Sequence, residues 1–176
     1  MTHERGNLDE VVVADYDPRW PELYAQEVAG LRGAFGAFLV TLEHIGSTSV
    51  PGLAAKPIVD IQAVVRSVAD AQNAAPALAA LGWQQGIFAL DPETRLYFKK
   101  YNAQGGRTHQ LHVYAPDHPA ASAHLLFRDY LRAHPEEASQ YAALKRELAE
   151  RFYTDRLAYN NAKTAYVEAV VAKART

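Results

Sequence analysis

The stretch from Glu43 to Val65, EHIGSTSVPGLAAKPIVDIQAVV, limits the folds open to this chain more than any other part of it. An apolar run, Phe38 to Ile45, stops at Gly46-Ser47-Thr48-Ser49. Pro51-Gly52, a short Leu-Ala-Ala piece and Lys56-Pro57 follow, and then a second apolar run from Ile58 to Val65. Glycine takes backbone angles and close approaches that a side chain forbids. A run of small hydroxyl residues leaves backbone N–H groups free to meet an anion. If a helical turn begins there, Gly46, Ser47 and Thr48 form a phosphate cradle; the alternative is a plain strand-to-helix turn. Side chains alternate along the second strand, so Ile58, Asp60, Gln62 and Val64 share one face and Val59, Ile61, Ala63 and Val65 the other. A carboxylate at Asp60, inside so apolar a run, is expensive to bury unless a cation or a metal meets it. Lys56, Arg95 and Lys99 are the candidate partners for a purely structural ion pair.

Around this stretch the chain alternates strand and helix signals and then turns helical. Val11–Val13 reads as a short strand. Asp17 is placed to cap a helix with Pro18 at its first position, and Trp20, Leu23, Tyr24, Val28 and Leu31 keep helical spacing to Gly33 or Gly36. Residues Val68 to Leu81 read as a helix that Pro76 kinks or restarts and Gly82 ends. Trp83 to Leu90, Arg95 to Tyr101 and Thr108 to Tyr114 read as strands, with Asp91-Pro92-Glu93 and Asn102 to Arg107 as their turns. Helices are expected from Asp117-His118-Pro119 to about Ala133, from Pro135 to about Phe152 and from Asp155 to about Ala172. Tyr141, Leu144, Leu148 and Phe152 form a core stripe in the second of these. The fold class is α+β: a mixed, mainly antiparallel sheet packed with helices, in one domain spanning residues 1–176.

Composition narrows the function classes. The 176 residues are 49% hydrophobic and 22% charged, enough to bury a core. A net charge of -2 makes no case for nonspecific nucleic-acid binding, which needs a basic face. The absence of cysteine excludes disulfides and thiolate metal sites and fits a cytoplasmic setting. The polar start MTHERGNLDE predicts no signal peptide, and no apolar run reaches the ~20 residues a membrane span needs.

The wording HIGSTSVPGLAAKPIVDI (His44 to Ile61) strongly resembles the signature of the GrpB family, within the nucleotidyltransferase-fold superfamily. THQLHV (Thr108 to Val113) and HLLFRDYLRAHP (His124 to Pro135) with the following YAALKRELA extend the resemblance over most of the chain. It implies a nucleotidyltransferase fold and kinship with the domain fused to some dephospho-CoA kinases. It also implies, for an active member, transfer of a nucleotidyl or phosphoryl group from a nucleoside triphosphate to an acceptor. Gly46-Ser47 and Asp60 match the superfamily pattern, whereas its second acid, two residues after Asp60, is Gln62 here.

On this reading Asp60 and His112 are the catalytic candidates, and Asp60, Gln62 and His112 the ligands of a Mg²⁺ ion. An amide oxygen brings no charge to such a site, and two ions need several carboxylates. One weakly held ion, completed by a nucleotide's own phosphates, is therefore the expectation, with Glu43 as a further acid only if it folds in. Gly46, Ser47, Thr48, Arg95, Lys99 and Lys163 are the phosphate or nucleotide contacts. Arg95 and Lys99 share a strand face with Tyr97 and Tyr101. Lys163 lies in the stripe Tyr159, Lys163, Tyr166, Val170 of the last helix. His109 and His112, three apart on a strand, point to opposite faces, which leaves His109 for a strand edge, while His44 has a structural or a site role. A local ion pair is the default for Arg128 and Asp129. The competing class is a catalytically weak ligand-binding module that kept the pocket and lost the second acid; a partner-binding domain is a third.

Overall fold

The computed structural model describes residues 10–86 and 94–176. The first helix, α1 (Trp20–Phe35), begins two residues later than the Asp17-Pro18 signal suggests. Asp17 instead forms a turn: its carboxylate accepts the Arg19 backbone N–H at 2.9 Å and holds the Arg19 guanidinium at 2.6 Å. Pro21 then takes the first turn, where a missing N–H is harmless. Val11–Val13 is not a strand. Val11 N–H donates to the Tyr153 carbonyl, and Ala14 forms an isolated bridge with Ala55 of the 46–58 connection.

β1 (Leu39–Ile45) and β2 (Val59–Val65) pair antiparallel across the 46–58 connection. Ser67 then caps α2 (Val68–Ala71) by accepting the Asp70 N–H, and a 3-10 turn leads to α3 (Ala75–Ala80). Pro76 restarts this helix in its first turn, as its missing donor and ring clash require. β3 (Trp83–Gln85) covers the start of the strand expected over 83–90; positions 87–90 and the Asp91-Pro92-Glu93 turn lie outside the described residues. β4 (Arg95–Tyr101) and β5 (Arg107–Tyr114) make a hairpin, and α4 (Pro119–Ala133), α5 (Pro135–Arg151) and α6 (Arg156–Ala174) complete the chain.

The strand order is β1-β2-β5-β4-β3, with β2–β5 the one parallel pair in a mainly antiparallel sheet, so the α+β expectation holds. Alternation sends Val59, Ile61, Ala63 and Val65, with Leu111, Val113, Leu96 and Phe98, to a face covered by Trp20, Leu31 and Phe35 of α1 and Leu78 of α3. Burying each such side chain contributes roughly 1.5–3 kcal/mol. His109 falls on this apolar face, edge-on to Trp83 in an inner strand, and not at the strand edge its polarity suggested. A second core joins Val50 and Leu53 of the connection to Phe127, Leu131, Tyr141 and Val170 of the C-terminal helices. These helices therefore stand over the opposite, polar face of the sheet, and the site lies there.

Candidate functional site

Cross-strand register assembles the polar face. Asp60 lies beside Gln110 and Gln62 beside His112, while Arg95, Tyr97 and Lys99 of β4 stand opposite Tyr114, His112 and Gln110. At the end of β1 the chain leaves the sheet through Gly46 with φ +71°. A Cβ there would meet Asp60 Oδ2 at 2.6 Å, so glycine is required both by the angle and by the carboxylate lying against it. Ser47–Ser49 forms a single 3-10 turn, shorter than the helix start expected of it. The turn closes on itself through Ser49 Oγ–H donating to the Gly46 carbonyl at 2.5 Å.

α4 fastens this turn. Arg128 donates to Glu43 Oε2 at 2.8 Å and to the His44 carbonyl at 3.0 Å, and Arg132 grips the Ser49 carbonyl with two N–H groups at 2.8 and 3.0 Å. The local Arg128–Asp129 pair exists, at 2.7 Å, but it accompanies this longer reach. Two charged fork donors on one helix fix the position of Gly46 relative to the sheet. His44 is structural: it is buried, stacks 5.0 Å from the Tyr24 ring and lies 3.0 Å from Thr48 Oγ1. Burial holds its imidazole down at about 4, hence neutral.

Beside the turn opens a cavity of about 370 Å³, within the range of small-molecule sites. Ser47 and Thr48 form one wall, Asp60, Tyr97, Lys99, Arg107 and Gln110 the sheet floor, and Lys145, Arg156, Tyr159 and Lys163 the helical side. Lys56 completes a ring of six basic side chains facing one carboxylate, Asp60. Burial lowers Lys56 and Lys145 to about 7 and Lys163 to about 8, with neighbouring cations pushing Lys56 and Lys145 the same way. Lys145 is only 2% exposed; its ammonium donates to the Ala54 carbonyl and sits 4.6 Å from the Tyr141 ring centroid. Lys56 and Lys163 flank the Tyr159 ring at 5.1 and 4.5 Å.

The structure therefore brings Ser47, Thr48, Asp60, Lys99 and Lys163 to one cavity, with Gly46 as the hinge behind it. Gln62, His112 and Arg95 do not line it. Gln62 shares the Asp60 face as its parity requires, but α4 lies on top of it. The residue is fully buried, its amide N–H donates to the Ala121 carbonyl at 3.2 Å, and its amide oxygen meets His124 Nδ1 at 3.1 Å. A side chain so engaged turns both amide atoms towards α4 and away from the cavity, unlike the metal-facing position expected of it. His112 approaches Asp60 at 3.8 Å from behind, enclosed by the rings of Tyr97, Tyr114 and His124. Among the described residues no group of three or more carboxylates and imidazoles could hold a metal ion, and Glu43 is already tied to Arg128. This donor set, one acid among six cations, does not fit a protein-held Mg²⁺.

Sequence reasoning named Lys56 only as an ion-pair partner for Asp60, and Lys145, Arg107, Arg156 and Arg132 not at all as site residues. Lys145 carried a readable signal: it lies at i+4 from Tyr141 on the apolar stripe of α5. Arg107 and Arg156 sit at the first positions of β5 and α6 and carried none.

The family model described as GrpB protein matches residues 10–173. The chain belongs to the GrpB family. A UPF0157 protein of Pseudomonas aeruginosa is 40% identical over 171 residues, covering 94% of this chain and 68% of that one. A dephospho-CoA kinase of Mycolicibacterium paratuberculosis is 32% identical over 165 residues, covering 81% of this chain but only 40% of the kinase. The crystal structure of GrpB from Enterococcus faecalis superposes with a TM-score of 0.83 at 33% identity, over 93% of this chain and 96% of that one. The Cid1 poly(U) polymerase with Mg 3'-dATP bound gives a TM-score of 0.57 at 14% identity, over 85% of this chain and 49% of Cid1. That second likeness is one of fold: this chain carries a nucleotidyltransferase-like fold. Among the described residues, no helix is long and apolar enough to cross a membrane.

Proposed function

We propose that the cavity receives the phosphates of a nucleoside triphosphate, making the chain a nucleotide-binding member of its family. The observation that carries this reading is the charge of the lining: six basic side chains and one carboxylate, beside the glycine-serine turn. A cationic concavity raises the local concentration of anions and rewards multivalent ones. The likeness to Cid1, crystallised with MgGTP, MgATP and Mg 3'-dATP, supports a nucleotide over other polyanions. Thermal unfolding in the presence of ATP, GTP, CTP and UTP tests it, since ligand bound to the folded state raises the melting temperature by mass action. Flat curves with all four, with and without Mg²⁺, refute it.

A second reading, nucleotidyl transfer to an acceptor hydroxyl, is favoured by Asp60 standing in the same cavity. In that reaction Asp60 accepts the acceptor's proton as its oxygen attacks the α-phosphorus and the bridging P–O bond to the β-phosphate breaks, releasing pyrophosphate, while Lys99 and Lys163 offset charge on the phosphate oxygens. Asp60 and the lining cations serve this step without a protein-held metal, which the donor set does not fit. Asp60→Asn is the discriminating variant: it abolishes label transfer from α-labelled nucleotide but keeps nucleotide binding if this reading holds.

A further inference from the structure

We infer that the cavity takes its polyphosphate free of metal, with the protein's own buried cations supplying the counter-charge that a dication supplies elsewhere. The shared ligand chemistry is a linear polyphosphate chain, from a nucleotide or from inorganic triphosphate. This inference rests on the nucleotide reading above and narrows it.

Three observations carry it. First, among the described residues no carboxylate lies within ion-pair distance of Lys56, Lys99, Lys145, Lys163 or Arg107. Cations gathered around a cavity without such partners repel one another, and an anion is the economical way to relieve that. Second, two donors of lining residues, Tyr159 Oη and Arg107 Nε, are buried with no hydrogen-bond partner among the described residues; Tyr159 is 0% exposed. Orphaned buried donors are rare and mark a missing acceptor, and phosphate oxygens are acceptors. Third, among the described residues no further acid joins Asp60 to hold a metal: position 62 is a buried amide locked under α4, and Glu43 is held by Arg128.

Proton linkage follows from the same geometry. Lys56, Lys145 and Lys163 face Lys99, Arg107 and Asp60 from the sheet and Arg156 and Tyr159 from α6. Their lowered values leave part of this set neutral near pH 7–8. A bound polyanion recharges them, so binding takes up protons. Affinity then falls by up to roughly tenfold per pH unit for each lysine recharged as pH rises from 7 to 9.

Isothermal titration with inorganic triphosphate and with ATP, each in chelator and in millimolar Mg²⁺, tests the inference. Binding in chelator at least as tight as with Mg²⁺ is expected. So is net proton uptake at pH 8, read from two buffers of different ionisation enthalpy. Lys163→Gln and Lys145→Met, each checked for a normal melting transition, are expected to weaken binding tenfold or more. Binding of ATP only when Mg²⁺ is present overturns this inference and leaves the nucleotide reading standing. Binding of neither ligand under either condition overturns both. ATP binding in chelator without triphosphate binding assigns the chain to a nucleotide, and equal binding of both assigns it to the bare polyphosphate. Sulfate competing as well as triphosphate at equal ionic strength overturns the inference, because the cavity is then only a general anion trap.

Discussion

Lys145 is the sharpest test of the cavity's electrostatics, because its variant should gain stability. Its side chain is 2% exposed and its neighbours Lys56, Lys163 and Arg146 are all cationic. Lowering the ammonium from 10.5 to about 7 means that the fold disfavours the charged lysine. At ~1.4 kcal/mol per pH unit, that amounts to roughly 5 kcal/mol as an upper bound at neutral pH. Lys145→Met keeps the length and apolar stem, removes the charge, and leaves the Ala54 carbonyl without its ammonium donor. That unmet acceptor costs about 1–3 kcal/mol. The expected net effect without ligand is a gain of about 2 kcal/mol at pH 7, or roughly 4–8 °C in melting temperature for a chain of this size. The sign depends on pH. Between about 7 and 10.5 the unfolded chain binds more protons than the folded one, so native stability rises with pH across that window. The variant lacks this contribution, so its advantage shrinks and reverses towards pH 10. Thermal and urea unfolding at pH 7, 8.5 and 10 read this directly. A variant less stable than the native protein at pH 7, or with the same pH slope, refutes the picture of a strained buried ammonium.

Other perturbations probe the remaining parts. Gln62→Glu should lose about 2–3 kcal/mol equally in chelator and in millimolar Mg²⁺, because position 62 is sealed under α4 and a buried charge finds no cation there; stabilisation by Mg²⁺ would restore position 62 as a ligand. Gly46→Ala should cost about 2 kcal/mol from the left-handed angle and the Asp60 clash, and melting with and without nucleotide should show the ligand-induced shift lost as well. In acid, His44 and His124 are neutral in the fold and held to about 4, chiefly by burial. The unfolded chain therefore binds more protons below 6.5, and stability should fall progressively from pH 6.5 to 4. Urea midpoints in that range measure it, and a flat profile argues against both assignments.

Periodicity made the sheet readable. Alternation in DIQAVV and LHVY assigned faces correctly because one face is fully apolar, and a slip of one residue would have buried Asp60 against α1. It also separated His109 from His112. What alternation does not report is what lies on top of a face. Gln62 and Asp60 have the same parity, yet α4 covers one and the cavity exposes the other, a difference set by helix packing 59 residues away. The start of α1 was misread for a local reason: Asp17 has two possible partners, and the Arg19 side chain won it for a turn. The strand read into Val11–Val13 failed because β-branched residues there had no neighbouring strand to pair with, only the carbonyl of Tyr153.

The amide at position 62 and the lysines of the cavity belong to one electrostatic solution. A second carboxylate there would need either a dication or a buried cation beside it. Instead the position is neutral and meets a histidine that burial also keeps neutral, so α4 closes over the sheet with its polar atoms satisfied and no charge trapped. The same helix carries Arg128 and Arg132, which hold the turn around Gly46. Closing α4 over position 62 thus fixes the Ser47–Thr48 wall of the cavity and engages the amide of Gln62 in the same contact. Among the described residues, the groups placed to balance a polyphosphate are the cations on α5, α6, the 46–58 connection, β4 and β5, and the cavity is lined with them.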